Sequence, residues 1–507
     1  TTVGRSCDLR NGVRGEEGVV LGDECFVGEH AVLAAGVKIY PFKTVETGAV
    51  INSSIVWESR GSRSLFGRVG VSGLANVDIT PELAARVAMA YGTSLKKDST
   101  VIISRDSSRS ARMLKRAMMA GLNASGVNVH DLEVASVPVT RFATSRPEIA
   151  GGITLRLMAG DPQSCVIRFF DTQGRDLTED AQRKIERLFI REDFRRVFPS
   201  EIGDIDYPPR AMEQYTAALE ATVDVSLIQD AKFKLVVDYA YGSSAFSMPN
   251  VLAKLGADVL GVNPYTATLG ALNYDPERHA QEVAALVKAS GAHVGAVLDP
   301  DAEHLTLIDD SGHILTNEEA LLSLLAMVSG HLLGDTVAVP VTVTQHAESI
   351  AREHGVQVRR TKLSASALMD AASEPGVGFS GGVDGGFILP GFLHAFDAAA
   401  NLVKVLELLA RSGERLSTIV SRLPRTHIVH EAVVTPWEQK GMVMRSLVEM
   451  SKDREVQLID GVKVKHEGGW ALAVPDPEEP VTHAWAASAS DADAKTLAKE
   501  HARRIRQ

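Results

Sequence analysis

Cysteine is scarce in this 507-residue chain: Cys7, Cys25 and Cys165 are the only three, and they lie far apart in the sequence. Three scattered thiols exclude a disulfide framework and a CxxC-type zinc site, and they fit a reducing, cytoplasmic setting. Long apolar runs are also missing. No stretch approaches the length needed to span a bilayer, and no signal-peptide pattern is present, so no membrane partner is expected. Basic charge is in deficit, with 53 Lys and Arg against 64 Asp and Glu for a net charge of −11, which argues against nucleic acid as the main partner. With 45% hydrophobic and 23% charged residues, the composition is that of a globular chain long enough for several cores.

The first organised feature is a repeat. Leu21, Val27, Leu33, Ile39, Val45 and Ile51 fall every six residues, and Cys25, Ala31, Val37, Ala49 and Ile55 follow most of them four places later. Val3 and Leu9 continue the register backwards. A six-residue period fits neither a helix nor one long strand; it is the pattern of a β-helix in which each short strand forms one side of a coil. The lone His30 is expected at an exposed turn. The chain opens "TTVGRS", already inside the repeat, so it reads as a piece of something longer.

From about Ser62 strands and helices alternate. Thr80 and Pro81 are an N-cap and first helical residue, Leu83, Val87 and Tyr91 follow at helical spacing, and Gly92 is expected to close the helix. "TVIIS", "VNVHDLEV", "KLVVDY", "ADVLGVN", "DTVAVPV" and "VQVRR" read as strands separated by helical segments, which implies several mixed or parallel sheets. The last segment, with "VQLIDGVKVKHEGGWALAV", reads as a hairpin of an α+β domain.

One loop carries candidate chemistry. "VLDPDAEHLTLID" places Asp299, Asp301 and Glu303 at alternate positions between two apolar runs, so three carboxylates can converge on one hard cation such as Mg²⁺. A solvated acidic turn is the alternative. "GFSGG", Gly378–Gly382, matches the G-x-S-x-G nucleophile elbow, but that motif needs a strand before it and a helix directly after it. "VDGGFILP" follows instead, and Ser380 reads as part of a glycine-rich turn.

The order of segments resembles the α-D-phosphohexomutases, the phosphomannomutase and phosphoglucomutase family. "SLFGRVGVSGLAN" and "VIISRDSSRSARMLKRAMMAGLNASGVNVHDL" match its opening, and "GGITLRLMAGDPQSCVIRFFDTQG" its phosphoserine loop. "GAHVGAVLDPDAEHL" matches its metal loop, "GFSGGVDGGF" its sugar-binding loop, and "DGVKVKHEGGWALAVPDPEEP" its phosphate-binding loop. The N-terminal repeat resembles the left-handed β-helix tail of sugar-1-phosphate nucleotidyltransferases. The implied fold is α/β: a short left-handed β-helix (1–60), three α/β mixed-sheet domains (61–205, 206–312, 313–425) and a C-terminal α+β domain (426–507).

The resemblance implies a phosphorylated serine, Mg²⁺ on three aspartates, sugar-reading side chains and a basic phosphate loop. Most of these are replaced here. Met158 stands at the phosphoserine position and Ala159 at the histidine; Ser164 is the nearest substitute hydroxyl. Asp299 and Asp301 match two metal ligands, Glu303 the third, and His304 and Pro300 replace an arginine and a glycine. Val383, Gly385 and Phe387 replace the sugar-loop Glu, Ser and His, and Val474 replaces the phosphate-loop arginine. No Lys or Arg occurs from His466 to Ala494. Like charges about 4 Å apart repel by about 4 kcal/mol at an intermediate dielectric, so Asp476, Glu478 and Glu479 are expected to repel a phosphate. Arg68, Arg105, His304 and Asp384 are candidates for lining a remodelled cleft.

The expectation is a mutase-like module of sugar-nucleotide biosynthesis, silent as a mutase. It would act in homo-oligomerisation or in sensing a sugar phosphate or other small ligand, beside an upstream nucleotidyltransferase domain of the same parent chain. The alternative is an active mutase with an unorthodox phosphoryl carrier.

Overall fold

A computed structural model describes the whole chain except residues 53, 56–59, 62–64, 267–273, 332–333, 426, 478 and 507. Two compact units result. The first comprises Thr1–Ala135, Ala143–Thr172 and Leu177–Pro209, and the second Ser136–Phe142, Gln173–Asp176 and Arg210–Gln507.

The first unit begins with two-residue strands that pair in parallel with the strand eighteen residues on: Thr2 with Val20 and Val20 with Lys38, Asp8 with Phe26 and Phe26 with Thr44, Arg14 with Val32 and Val32 with Val50. Three parallel sheets arise, and one turn of the chain uses three six-residue sides. Left-handed backbone recurs at the same interval, at Ser6, Gly12, Gly18, Glu24, His30, Gly36, Phe42 and Gly48. His30 is therefore an exposed turn residue, as its place in the repeat predicts. The apolar residues of the repeat, Leu21 to Ile55, are all buried in one narrow core.

A six-stranded mixed sheet follows, in the order Val71–Leu74, Asp161–Phe170, Ile149–Met158, Thr100–Arg105, Asn128–Val134 and Ile205–Asp206. Helices Pro81–Ser94 and Arg109–Ala124 pack together against its core, capped by the side chains of Thr80 and Ser108. Gly92 does not end its helix, which runs on to Ser94. A Cβ at Gly92 would stand 2.0 Å from the Ser125 hydroxyl, so this glycine serves the close approach of the neighbouring helix end.

The second unit holds three more sheets. Two have the same plan, three parallel strands and one antiparallel: Asp258–Val262, Lys234–Asp238, Val294–Leu298 and Leu305–Ile308; then Gln357–Thr361, Thr336–Pro340, Val377–Gly381 and Phe387–Ile388. Local signals set the helices between them. Asp275 caps Pro276–Ser290, which ends at left-handed Gly291, and Thr316 with Glu319 forms a capping box for Asn317–Ser329. The last sheet is antiparallel, in the order His427–Val434, Val481–Ser488, Gly469–Pro475, Val462–His466 and Val456–Gln457. It contains the hairpin expected from the sequence and packs on helices Trp437–Met450 and Asp491–Arg506. Among the described residues no helix is long and apolar enough to cross a membrane.

Candidate functional site

In the α/β sheets of the second unit, loops at the carboxyl ends of the strands hold the predicted site residues, where open α/β folds bind ligands. Asp299 follows the strand Val294–Leu298. Its Oδ1 accepts from the backbone N–H groups of Glu303 (2.8 Å) and His304 (3.0 Å), and its Oδ2 lies 3.1 Å from His304 Nδ1. The ring's other nitrogen is 3.7 Å from Asp384 of the sugar-loop segment. The backbone reinforces the junction: His304 forms an antiparallel bridge to Gly386, and Leu305 N–H donates to the Gly385 carbonyl at 2.9 Å. Burial disfavours a charged imidazole, but the hydrogen bonds and negative charge of Asp299 and Asp384 outweigh it and hold His304 well above the ordinary histidine value. The same imidazolium, aided by the Gly386 N–H, holds Asp384 below its usual range against the opposing effect of burial. Of the four cleft candidates, the structure thus brings His304 and Asp384 together.

Glu303 faces elsewhere. It is 2% exposed and meets the fully buried Arg141, whose Nε donates to Glu303 Oε1 at 2.9 Å and whose Nη2 is 2.8 Å from the same oxygen. Arg141 also donates to Asp176 Oδ1 at 2.8 Å and to the Gly174 carbonyl at 2.7 Å. Nothing in the local sequence announces this arginine, which stands 162 residues before its partner. Asp299 and Glu303, two of the three alternately spaced carboxylates, are therefore turned to different partners. Mg²⁺ demands a near-octahedral oxygen cage, whereas Asp299 is tied to an imidazolium and two N–H groups, and Glu303 to a guanidinium. The donor set does not fit the ion. Among the described residues, no group of three or more His, Cys, Asp or Glu side chains is placed to hold a metal.

In the sugar loop, Ser380 lies in the strand Val377–Gly381, is fully buried and donates to the Leu368 carbonyl at 3.3 Å. A turn rather than a helix follows it, so the nucleophile-elbow geometry is absent. Phe387 is buried against Phe379.

In the phosphate-loop segment the acidic residues differ: Glu479 is exposed, whereas Asp476 is buried. Asp476 is 4% exposed and turned inward, with Oδ1 accepting from Glu479 N–H at 2.9 Å and Oδ2 lying 2.9 Å from His483 Nε2. It does not present its charge as an exposed wall against a phosphate. A cation is present after all: Lys440 Nζ donates to the carbonyls of Asp476 (2.5 Å) and Glu479 and lies 3.6 Å from the centre of the Trp437 ring. It comes from a helix 36 residues upstream of Asp476, outside the stretch whose lack of basic residues suggested repulsion. Glu478 lies outside the described residues.

In the first unit, the segment aligned with the phosphoserine loop is a tight hairpin. Strands Ile149–Met158 and Asp161–Phe170 run straight into a two-residue turn, Ala159–Gly160, and Met158 pairs with Asp161. Ser164 sits within the second strand opposite Leu74, 7% exposed, and its hydroxyl bonds Asp161, holding that carboxyl below its ordinary value. That lowered carboxyl is a weak base for the hydroxyl it holds. Arg105 is 6% exposed and bonds Glu133 at 2.9 Å and the Asp106 carbonyl at 2.8 Å, making it a member of a buried ion network with Lys115 and Asp131. Arg68 is exposed on the turn between Gly67 and Gly70.

Three mixed α/β sheets in series, with loops at their carboxyl ends and an antiparallel α+β domain last, define the architecture of the hexose-phosphate mutases. Phosphoglucomutase/phosphomannomutase alpha/beta/alpha domains I, II and III match residues 63–196, 213–312 and 317–427 in turn. The chain belongs to the phosphoglucomutase/phosphomannomutase family. A phosphoglucomutase/phosphomannomutase of Thermococcus kodakarensis is 28% identical over 85% of this chain and 96% of its own length. The crystal structure of a phosphoglucomutase/phosphomannomutase family protein of Burkholderia thailandensis shares the fold, with a TM-score of 0.77, 21% identity, and coverage of 88% of this chain and 97% of that one. So does an N-acetylphosphoglucosamine mutase of Aspergillus fumigatus in complex with GlcNAc-6P and magnesium, at a TM-score of 0.53, 14% identity and coverage of 87% and 95%.

Proposed function

We propose that this chain is a phosphohexomutase-fold module that no longer transfers phosphate. It serves a sugar-nucleotide biosynthesis protein in the cytoplasm, by homo-oligomerisation or by sensing a sugar phosphate. The observation that carries this reading is the hairpin at Met158: the position of the phosphoryl carrier holds a thioether, inside a sheet, at a two-residue turn. A thioether forms no phosphoester, and Ser164 is buried in a strand beside only the weakly basic Asp161 carboxylate. Three parallel sheets with an eighteen-residue register support reading residues 1–60 as a left-handed β-helix, the element that resembles a nucleotidyltransferase tail. A nucleotidyltransferase domain upstream in the parent chain completes the proposal.

The test is mass spectrometry of the purified chain after incubation with glucose 1,6-bisphosphate and Mg²⁺, beside a coupled assay with mannose 1-phosphate. No adduct and no turnover are expected. A stable phosphoryl adduct on Ser164, or turnover abolished by Asp299→Ala, restores an active mutase with an unorthodox carrier.

A further inference from the structure

One face of the last sheet, whose Trp470, Leu472 and Val474 pack against Val341, carries a group of nitrogen ligands at its edge. His430 lies on the edge strand His427–Val434, directly opposite Trp485 of the next strand, and His483 lies two residues before Trp485 on the same face. His430 Nε2 is 3.0 Å from His483 Nδ1. Both rings pack on the indole, with centroids 4.8 Å and 5.3 Å from it, so neither imidazole swings freely. Behind them, the buried Asp476 carboxylate accepts a hydrogen bond from His483 Nε2–H at 2.9 Å. That bond fixes the tautomer: His483 keeps its Nδ1 lone pair bare and aimed at His430.

A carboxylate, a histidine oriented by it and a second nitrogen facing the same point form the orienting arrangement seen behind metal-bound imidazoles. Two nitrogens at about 2.0–2.1 Å from one tetrahedral ion stand roughly 3.3 Å apart, so the observed pair needs to open by a few tenths of an ångström. We propose that His430 Nε2 and His483 Nδ1 bind a borderline transition-metal ion, Zn²⁺ or Cu²⁺, with Asp476 as the orienting carboxylate. Binding replaces the imidazole–imidazole hydrogen bond. The proton on His430 Nε2 moves to its Nδ1 through solvent, and both ligands remain neutral. Two imidazoles leave the other coordination positions to water or to an external ligand, which His430, exposed on an edge strand, leaves accessible. Hard Mg²⁺ is a poor match for this nitrogen pair, which separates the site from the magnesium chemistry of the family.

The experiment titrates the full chain with Cu²⁺ alone and reads tryptophan fluorescence, because Trp485 lies in contact with both ligands. One saturable equivalent that quenches is expected. It should be lost in His430→Ala and in His483→Gln, and weakened about 10-fold to 100-fold in Asp476→Asn. His430→Ala alters an exposed side chain, and unchanged circular dichroism shows that the variant folds. Removal of the copper with EDTA should restore the fluorescence. A titration curve that neither histidine substitution alters assigns the copper to other histidines and overturns the proposal, as does the absence of a saturable phase.

Discussion

Arg141 shows how one buried residue decides what an acidic loop does. With the guanidinium removed, Glu303 is left charged and buried, and a buried ion that loses its partner costs on the order of 3–5 kcal/mol. Arg141→Met is therefore expected to lower the urea midpoint sharply. Adding Glu303→Leu to it should recover much of the loss, because removing both charges is far milder than orphaning one. Equal midpoints for the single and double variants would show that the pair is not the source of the effect. Lys463 provides a second test at this scale. It is 9% exposed, donates to the Val341 carbonyl at 2.5 Å, and burial, with the Arg360 charge, pulls its pKa down to about 7. The unfolded chain then binds more protons than the native one between about pH 7 and the ordinary lysine value. Native stability rises with pH across that window, so it declines as pH falls from the ordinary lysine value, and the loss is complete by about 7. Lys463→Met should gain on the parent chain as pH drops from about 10 to about 7 in thermal unfolding followed at several pH values.

At the scale of elements, the six-residue repeat, the capped helices and the alternating strands were legible because each is written in neighbouring residues. What escaped was written in distant ones. The approach of Ser125 explains Gly92, Arg141 explains Glu303, and Lys440 explains the phosphate-loop segment, and in each case the partner lies on another element. The segment that resembles the phosphoserine loop gave no local sign of its shape, a tight hairpin. A two-residue turn pins residue 158 to its cross-strand partner Asp161, so restoring a hydroxyl does not restore the loop. Met158→Ser is accordingly expected to acquire no phosphoryl adduct from glucose 1,6-bisphosphate by mass spectrometry. In the N-terminal coil, His30 occupies a left-handed turn with φ of 58°, a conformation that costs most side chains about 1–2 kcal/mol. His30→Gly should leave the thermal midpoint of the coil unchanged or raise it.

For the whole molecule, the family's scaffold is present, and in its acidic loop Arg141 and His304 hold carboxylates. A divalent ion between carboxylates and a phosphate would link loops of different domains. Here His304 joins the loop after Val294–Leu298 to the sugar-loop segment through Asp299 and Asp384, and Arg141 anchors Glu303. Magnesium entering this loop would have to displace an imidazolium and detach two backbone N–H groups from Asp299 before gaining its first protein oxygen. A ligand at a hundred times its dissociation constant stabilises the state that binds it by about 2.7 kcal/mol, a shift that thermal unfolding resolves readily. The midpoint of the chain is expected to be the same in millimolar Mg²⁺ as in EDTA. A rise that saturates with Mg²⁺ and vanishes in Asp299→Asn would mean that the loop opens and reassembles the family's metal site. An unchanged midpoint would mean that the protein's own cations have taken over the joining of these loops.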